Sequence, residues 1–188
     1  MTPKTISILT NPHPKSHIVY PYGDEKHVAE AVGIFAAAGL SSNESVVLIA
    51  TAEKQHAIEQ RLREEAFDVE ELQREGRLTS LNADMLLAKL LACESPDLAS
   101  FQAVVGPIIV TAKAKAPSGR VRLYGEMVNL LCGKSDLEGA AHLEDLWNQT
   151  IELYSVPLLC SYSNDLLYPH ESTGLPQRLL ELHSDIAA

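Results

Sequence analysis

The sequence predicts an α/β fold of three layers, in which helices cover both faces of a mainly parallel β-sheet. Two features lead to this prediction. Short apolar runs such as SVVLIA, at residues 45–50, alternate along the chain with stretches whose apolar residues recur at helical spacing. Continuous apolar runs are typical of strands buried on both faces of a parallel sheet, and their alternation with helices implies right-handed βαβ crossovers.

The first 16 residues are expected to be a flexible lead-in, because they contain three prolines and no periodicity, with one short extended piece at 6–9. Residues 17–188 are expected to form a single domain. The run HIVYPY at 17–22 predicts the first strand, and Asp24 is placed to cap the helix that follows. In that helix, apolar residues at 28, 31, 32 and 35 mark the buried face, and Gly39 suggests its end.

The remaining strands are predicted at 45–50, 78–81, 121–124 and 156–163. Between them, Thr51 is expected to cap a helix, and Gly76 is expected to stop a short one. Further helices are predicted around 85–92 and 97–115, where Pro107 should interrupt or kink the second. A strongly amphipathic helix occupies 137–154, and a final helix runs from 175 to 183.

Composition excludes several classes of protein. With 15 basic and 25 acidic residues the formal net charge is −10, which repels nucleic acid and anionic membrane surfaces. The densest basic stretch is expected to be a solvated helix end and loop; it contains Lys113, Lys115, Arg120 and Arg122. The apolar runs are too short to span a bilayer, and the three cysteines have no CxxC spacing, so a cytoplasmic protein is expected.

Common catalytic and cofactor motifs are missing. The loop after the first strand reads PYGDEKH, whose acidic residues compete with phosphate for the helix N-terminus, so a phosphate-binding loop is not expected. The seven histidines form no HxH or HExxH pattern, and no cysteine pair has zinc spacing, so no metal and no cofactor are predicted. There is no GxSxG motif, and Cys160, within an apolar strand, is expected to be an inert thiol.

Polar and aromatic residues end three of the predicted strands. Ligands of parallel α/β sheets bind beyond the carboxyl ends of the strands, where such residues can line a pocket. The residues concerned are Tyr20 and Tyr22 of the first strand, Tyr124 and Glu126 of the fourth, and Cys160 and Tyr162 of the fifth. A small-molecule pocket is one interpretation, and aromatic filling of the core is the other.

Three residues near the amphipathic helix and the fourth strand have predicted roles. Trp147 shares a helix face with Leu143 and Ile151 and is expected in the core. Glu144 borders that face, so it is expected to be half-buried, as either a structural anchor or a ligand-reading group. Glu126 follows Gly125, which is expected to let the backbone turn, so that Glu126 faces the pocket or anchors its rim; alternatively, it only begins a helix.

Several segments, in order, resemble one family. These are HIVYPY, SVVLIAT, GRLTSLNAD, YGEM, HLEDLWN and LLCSY, and together with the spacing between them they resemble the MEDS domain, the methanogen/methylotroph DcmR sensory domain, over residues 17 to about 183. The resemblance implies a RecA/KaiC-like core with a degenerate P-loop, and sensing of hydrocarbon-like or other small organic ligands. The family pattern falls on these positions: His17, Tyr22, Glu126, Glu144, Trp147, Cys160, Tyr162 and His183.

The leading functional prediction is therefore a non-catalytic sensory domain that binds a small apolar or mixed organic ligand at the strand ends. As the resemblance implies, its output partner could be a histidine kinase or a transcription regulator, and a homo-oligomer stays open. Two alternatives are a degenerate nucleotide-binding module and an enzyme that uses Glu126 or Glu144 as a general acid or base.

Overall fold

A computed structural model describes residues 1–92, 96–167 and 175–187 of the chain. These residues form a six-stranded sheet whose strands are all parallel, in the order β3-β2-β4-β5-β1-β6. The strands are β1 His17–Tyr22, β2 Ser45–Ala50, β3 Leu78–Asn82, β4 Val121–Gly125, β5 Leu158–Ser163 and β6 Asp185–Ile186. The predicted parallel sheet is confirmed.

Helices cover both faces of this sheet, which confirms the three-layer α/β class. One face carries α1 Pro3–Thr10, α2 Glu25–Ser41, α3 Ala52–Glu64 and α4 Val69–Glu75. The other carries α5 Ala83–Leu91, α6 Leu98–Lys115, α7 Met127–Gly133, α8 Leu137–Tyr154, α9 Asn164–Leu167 and α10 Leu175–Glu181. We call these the α2 face and the α8 face. No helix in the described ranges is both long and apolar enough to cross a bilayer.

Each face of the sheet has its own apolar core, because side chains alternate along every strand. Ile18 and Leu159 pack on the α2 face, whereas Val19 and Leu158 pack on the α8 face. The central strand β2 is buried along its whole length, as its continuous apolar sequence predicts. The rule of alternation decides which candidate site residues can meet.

The N-terminal segment differs from the prediction. Residues 3–10 form a helix rather than an extended piece, and Leu9 is fully buried against the core of the α2 face. Local sequence explains the helix, since the Thr2 side chain accepts a hydrogen bond from the Thr5 amide and Pro3 occupies the first turn. The prolines that suggested a loose segment instead help to begin a helix.

Arg122 lies in the predicted fourth strand, but it is not solvated as expected for the basic stretch. Its side chain is only 4% exposed, points into the α2 face and pairs with Glu44. The guanidinium also donates to the main-chain carbonyls of Leu9 and Phe35, at 3.1 and 3.3 Å. Gly39 does not end α2 as predicted but lies inside it, where a Cβ would come within 2.8 Å of the Arg122 side chain. Arg122 therefore ties α1 and α2 to β4.

Other element ends follow their local chemistry. Asp24 caps α2 as predicted, and Gly76 ends α4 in the left-handed conformation with φ of 75°. In contrast, α6 continues through Pro107 as one helix. The sequence-based prediction also missed α7 and the two-residue strand β6, and it began the fifth strand two residues early.

Candidate functional site

The predicted site residues separate into two groups on opposite faces of the sheet. Tyr20, Tyr22 and Tyr124 belong to the α2 face, whereas Cys160 and Tyr162 belong to the α8 face. The predicted single pocket at the strand ends therefore does not contain all of them. Each group has its own geometry and chemistry.

A cleft of about 990 Å³ lies at the carboxyl edge of the sheet, where α2, α3 and α7 begin. We call it the strand-end cleft. The chain leaves β2 for the α2 face and leaves the neighbouring strand β4 for the α8 face, and ligands of open α/β sheets bind where strand connections diverge in this way. Its lining residues are Glu25, Lys26, Ala29, Glu30, Thr51, Glu53, Lys54, Ala57, Gln60, Arg61, Glu64, Glu126 and Asn129.

A buried ion pair forms the inner wall of the strand-end cleft. The Glu126 carboxylate is 3% exposed, pairs with the Lys54 ammonium, and accepts a hydrogen bond of 2.8 Å from the Thr51 amide. Lys54 also lies 3.2 Å from a Glu25 carboxylate oxygen and donates to the Tyr22 hydroxyl at 3.3 Å. Burial lowers the pKa of Lys54, but the Glu126 carboxylate outweighs it and raises that pKa above its usual value. Lys54 is therefore held in its charged form.

Glu126 occupies the position that precedes α7, but the role predicted for Gly125 is wrong. Gly125 is the last residue of β4 and its φ is not positive, so no sharp turn depends on it. A Cβ there would lie 3.4 Å from the Leu158 side chain, so a small residue suits the strand contact. Glu126 reaches Thr51 because β4 and β2 are neighbours in the sheet.

Among the predicted candidates only Glu126 lines the strand-end cleft. Tyr22 touches it indirectly through Lys54, and the Tyr124 hydroxyl is buried in a 2.7 Å hydrogen bond with Ser161. Sequence reasoning missed Lys54, although a signal exists. Lys54, Ile58 and Leu62 are four residues apart on α3, so the lysine lies on the buried face of that helix.

The lining of the strand-end cleft carries a net negative charge. Five glutamates and three basic residues line it, a formal net charge of −2, and the apolar side chains are Ala29 and Ala57. At the start of α2, the Asp24 carboxylate already accepts the Lys26 amide at 2.9 Å. This charge disfavours polyphosphates and favours neutral or cationic molecules.

The second group lies on the α8 face and is buried. His17, Glu144, Cys160 and His183 present one ligand atom each within 4.8 Å of one another, and we call them the histidine cluster. His17 Nε2 lies 3.1 Å from Glu144 Oε2 and 3.5 Å from Cys160 Sγ. His183 Nε2 lies 3.5 Å from Glu144 Oε1. Glu144, predicted to be half-buried, is completely buried.

Neighbouring groups fix both imidazoles of the histidine cluster. His17 Nδ1 lies 2.9 Å from Asn148 Oδ1, and the Asn148 amide nitrogen donates to the Leu182 carbonyl at 3.0 Å, which sets the orientation of that amide. His183 Nδ1 lies 2.8 Å from the Leu179 carbonyl. Since both Nδ1 atoms face acceptors, each carries the proton in a neutral ring and each Nε2 directs a lone pair into the cluster.

Burial sets the charge states of the histidine cluster. It lowers the pKa of His183 to about 4 and raises the pKa of the Cys160 thiol well above its usual value. For Glu144, burial raises the pKa, but attraction to His183 and His17 outweighs it and the net direction is down. The arrangement is similar to that of a cysteine nucleophile, its base and an orienting amide, with Cys160, His17 and Asn148 in these places. However, the Cys160 thiol is buried and protonated, and it reaches no cleft found in the described residues.

Two more predicted residues lie beside the histidine cluster. The Tyr162 hydroxyl donates a hydrogen bond to Glu144 Oε1. Trp147 is 1% exposed in the core of the α8 face and packs edge-on to Phe101. The sequence-based prediction did not bring His17 and His183 together, because they lie near opposite ends of the chain. His170 lies outside the described residues.

The match to a family model agrees with the resemblance seen in the sequence. A comparison with curated proteins finds no match. The family model for the MEthanogen/methylotroph, DcmR Sensory domain matches residues 16–175, which include β1 to β5 and both Glu126 and Glu144. The chain therefore belongs to the MEDS family of sensory domains.

Proposed function

We propose that this chain is a non-catalytic sensor that binds a small polar organic molecule in the strand-end cleft and relays its presence to a partner protein. The observation that carries the proposal is a cleft of about 990 Å³ built over the buried Glu126–Lys54 pair. Its volume lies at the upper end of the usual range for small-molecule pockets, about 300–1,000 Å³. Membership of a sensory family supplies the role.

The lining favours a ligand different from the hydrocarbon expected from the family resemblance. A hydrocarbon offers no partner to the charged groups of the lining and would desolvate those without a cation beside them among the described residues, such as Glu30 and Glu53, which costs free energy. A neutral or cationic molecule with hydrogen-bonding groups can pair with the surplus of carboxylates. The proposed ligand is therefore a small amine or a neutral polyfunctional molecule.

A sensor also needs two states that the ligand distinguishes. Glu126 joins the starts of α7 and α3, because it precedes α7 and accepts the Thr51 amide. A ligand that pairs with Glu126 or competes for Lys54 changes the link between these helices. The proposed readers of that change are histidine kinases or transcription regulators, the partners that the resemblance implies.

The alternative functions have less support. A nucleotide would bring phosphates to a cleft with net negative charge, and the Asp24 carboxylate already occupies a donor at the start of α2. An enzyme would need a carboxyl group within reach of a substrate. Glu144 is enclosed in the core, and Glu126 is engaged in its ion pair with Lys54.

Thermal melting with a panel of small molecules tests this proposal. The panel contains short-chain amines, neutral amides and alcohols, carboxylates, short hydrocarbons, and ATP with Mg²⁺. We expect the melting temperature to rise with an amine or a neutral polar compound. The Glu126→Gln variant should need at least a tenfold higher ligand concentration for the same rise. Glu70→Gln, at an exposed residue away from the cleft, is the matched control and should respond like the wild type.

Two outcomes would contradict the proposal. One is a melting temperature that rises only with hydrocarbons or only with ATP. The first result would favour the hydrocarbon ligand that the family resemblance implies, and the second would favour the nucleotide-binding alternative. The other is a response to amines that Glu126→Gln and Lys54→Met leave unchanged, because the ligand would then bind elsewhere.

A further inference from the structure

The histidine cluster has the composition and geometry of a metal centre. We infer that His17, Glu144, Cys160 and His183 form a four-coordinate site for a divalent transition metal, with Zn²⁺ as the best fit. This inference goes beyond the proposed function, because the cluster lies on the α8 face and shares no residue with the strand-end cleft.

The distances suit a tetrahedral ion. Zinc bonds of about 2.0 Å to nitrogen or oxygen and about 2.3 Å to sulfur place neighbouring ligand atoms about 3.3–3.6 Å apart. In the cluster, His17 Nε2 lies 3.1 Å from Glu144 Oε2 and 3.5 Å from Cys160 Sγ, and His183 Nε2 lies 3.5 Å from the other carboxylate oxygen, Glu144 Oε1. All four ligand atoms lie within 4.8 Å of one another, so small side-chain movements would close the shell.

The donor atoms already point inward. The hydrogen-bond acceptors at both Nδ1 atoms, Asn148 Oδ1 and the Leu179 carbonyl, leave the Nε2 lone pairs directed at the cluster. Histidine ligands of metals generally donate their other ring N–H to a carbonyl, an amide oxygen or a carboxylate in this manner. Tyr162 donates to Glu144 Oε1 and so restrains the carboxylate as well.

Two atoms of the histidine cluster point independently to a ligand. Glu144 Oε2 and His183 Nε2 are buried, and neither has a hydrogen-bond partner among the described residues. Both side chains are completely buried. His17 Nε2 is close to Glu144 Oε2 but lacks the alignment of a hydrogen bond. Buried polar atoms without partners cost free energy, and a shared cation would satisfy both of them.

The charges also balance when a metal binds. The Cys160 S–H bond breaks, the proton leaves to solvent, and the sulfur forms a bond to the metal. The thiolate and the Glu144 carboxylate then neutralise a divalent ion, while the two imidazoles are neutral ligands. One thiolate with two imidazoles and a carboxylate suits Zn²⁺ better than the hard ions Mg²⁺ and Ca²⁺, which prefer oxygen ligands.

Four protein ligands in an enclosed setting are typical of structural metal sites. The ligands come from β1, β5, α8 and the segment between α10 and β6, so the ion would join the C-terminal segment to the sheet. His183 lies two residues before β6, which pairs with β1 at the edge of the sheet. Occupancy of the site would therefore hold residues 175–187 in place.

Metal binding by the full chain tests the inference. After chelation under reducing conditions, the protein is titrated with Co²⁺ and then with Zn²⁺. We expect one Co²⁺ per chain, with the intense visible bands of tetrahedral cobalt and a thiolate charge-transfer band that Zn²⁺ removes. Cys160→Ser should abolish the charge-transfer band, whereas Cys132→Ser, at a buried cysteine outside the cluster, should keep it.

His183→Gln and Zn²⁺ protection give readouts that do not depend on cysteine variants. We expect His183→Gln to weaken Zn²⁺ at least tenfold, with His142→Gln as the control outside the cluster. In the wild type, Zn²⁺ should slow alkylation of Cys160 but not of Cys132. The inference is overturned if wild-type protein binds less than one Co²⁺ per chain, lacks the charge-transfer band, or shows no protection of Cys160.

Discussion

At the scale of single residues, Trp147 is the largest fully buried side chain of α8. It packs edge-on to Phe101 with ring centroids 5.0 Å apart. We expect Trp147→Ala to reduce the free energy of unfolding by about 3–5 kcal/mol, because it removes apolar contacts and leaves a cavity. Leu153→Ala, at an exposed position of the same helix, should change it by less than about 0.5 kcal/mol.

Chemical denaturation of the two α8 variants measures both values. Equal midpoints for the Trp147 and Leu153 variants would contradict the placement of Trp147 in the core of the α8 face.

Arg122 is a buried charge whose removal should be costly. We expect Arg122→Met to lower the free energy of unfolding by about 3–5 kcal/mol, because Glu44 would keep a buried charge without its main partner. Arg120 pairs with the same carboxylate at 2.9 Å, but its side chain is 60% exposed. Arg120→Met should therefore cost less than about 1 kcal/mol. If chemical denaturation gives the same loss of unfolding free energy for the two variants, burial does not explain the contribution of the Arg122 pair.

Glu126 should contribute to stability as well as to ligand binding. Glu126→Gln keeps an acceptor for the Thr51 amide but leaves the Lys54 charge without its main partner. We expect a loss of about 3 kcal/mol, at the lower end of the range for breaking a buried pair. Glu70→Gln, at an exposed ion pair, should lower the denaturation midpoint far less than Glu126→Gln does. If the Glu126→Gln variant has the same denaturation midpoint as the wild type, Glu126 does no more than begin α7.

At the scale of elements, α6 continues through an internal proline that should reduce its stability. Pro107 is exposed, and it offers no amide to the Ala103 carbonyl one turn earlier. We expect Pro107→Ala to stabilise the protein by about 2 kcal/mol, since about 3 kcal/mol of helix penalty is removed and up to about 1 kcal/mol is lost through a freer unfolded chain. Val110→Ala, also exposed on α6, is the control in thermal melting. A destabilised Pro107→Ala protein would contradict this balance.

The sequence predicted five strands because each combines apolar or β-branched residues with flanking turn and cap residues, as β2 does. It did not predict β6, because two residues carry no periodicity and the strand depends on pairing with β1. It predicts an extended piece where α1 lies, because prolines usually break regular structure, but Pro3 stands in the first turn of a helix, where proline is tolerated. Local sequence signals are therefore sufficient to predict the long elements, whereas the short ones depend on tertiary contacts that the sequence does not show.

At the scale of the whole molecule, the sequence predicted most of the residues of interest but not how they group. The strand-end prediction combined Glu126 with Cys160, although alternation of side chains and the helix contacts separate them. His17 and His183 meet only because the C-terminal segment returns to β1. No spacing in the sequence reports such a meeting, so the histidine cluster becomes visible only after folding.

Stability should fall in alkaline solution. Burial raises the pKa of Tyr22 and Tyr124, and Glu126 raises the pKa of Lys54 despite its burial. Groups with raised pKa in the folded state stabilise it fully below their unfolded pKa values, about 10, and lose that contribution as the pH rises through the folded pKa. Each such group adds about 1.4 kcal/mol per pH unit to the loss.

Denaturation between pH 7 and 11.5 measures this dependence. Burial also raises the pKa of the Cys132 and Cys160 thiols, so we expect a flat profile below about pH 8, a gradual fall above it and a steep fall above about pH 10. Lys54→Met should make the fall less steep, because it removes one of the groups whose pKa is raised in the folded state. An equal slope in the variant would show that Lys54 does not titrate differently in the folded and unfolded chains.

The whole molecule therefore places two distinct chemistries on opposite faces of one sheet. The strand-end cleft is charged and open to solvent, whereas the histidine cluster is enclosed beneath α8. In this account the metal holds the C-terminal segment in place. The strand-end cleft is then the site where a bound ligand changes the contact between the first turns of α3 and α7. This division of roles rests on the two proposals and can be tested separately for each.

The central claim, that the strand-end cleft binds a small polar organic molecule, is tested most directly by native mass spectrometry of gently purified protein. We expect the wild type to retain a neutral or cationic organic molecule at one per chain, and we expect Glu126→Gln to lose it while Glu70→Gln keeps it. Retention of the same molecule by Glu126→Gln, or a retained nucleotide or hydrocarbon in the wild type, would contradict the claim.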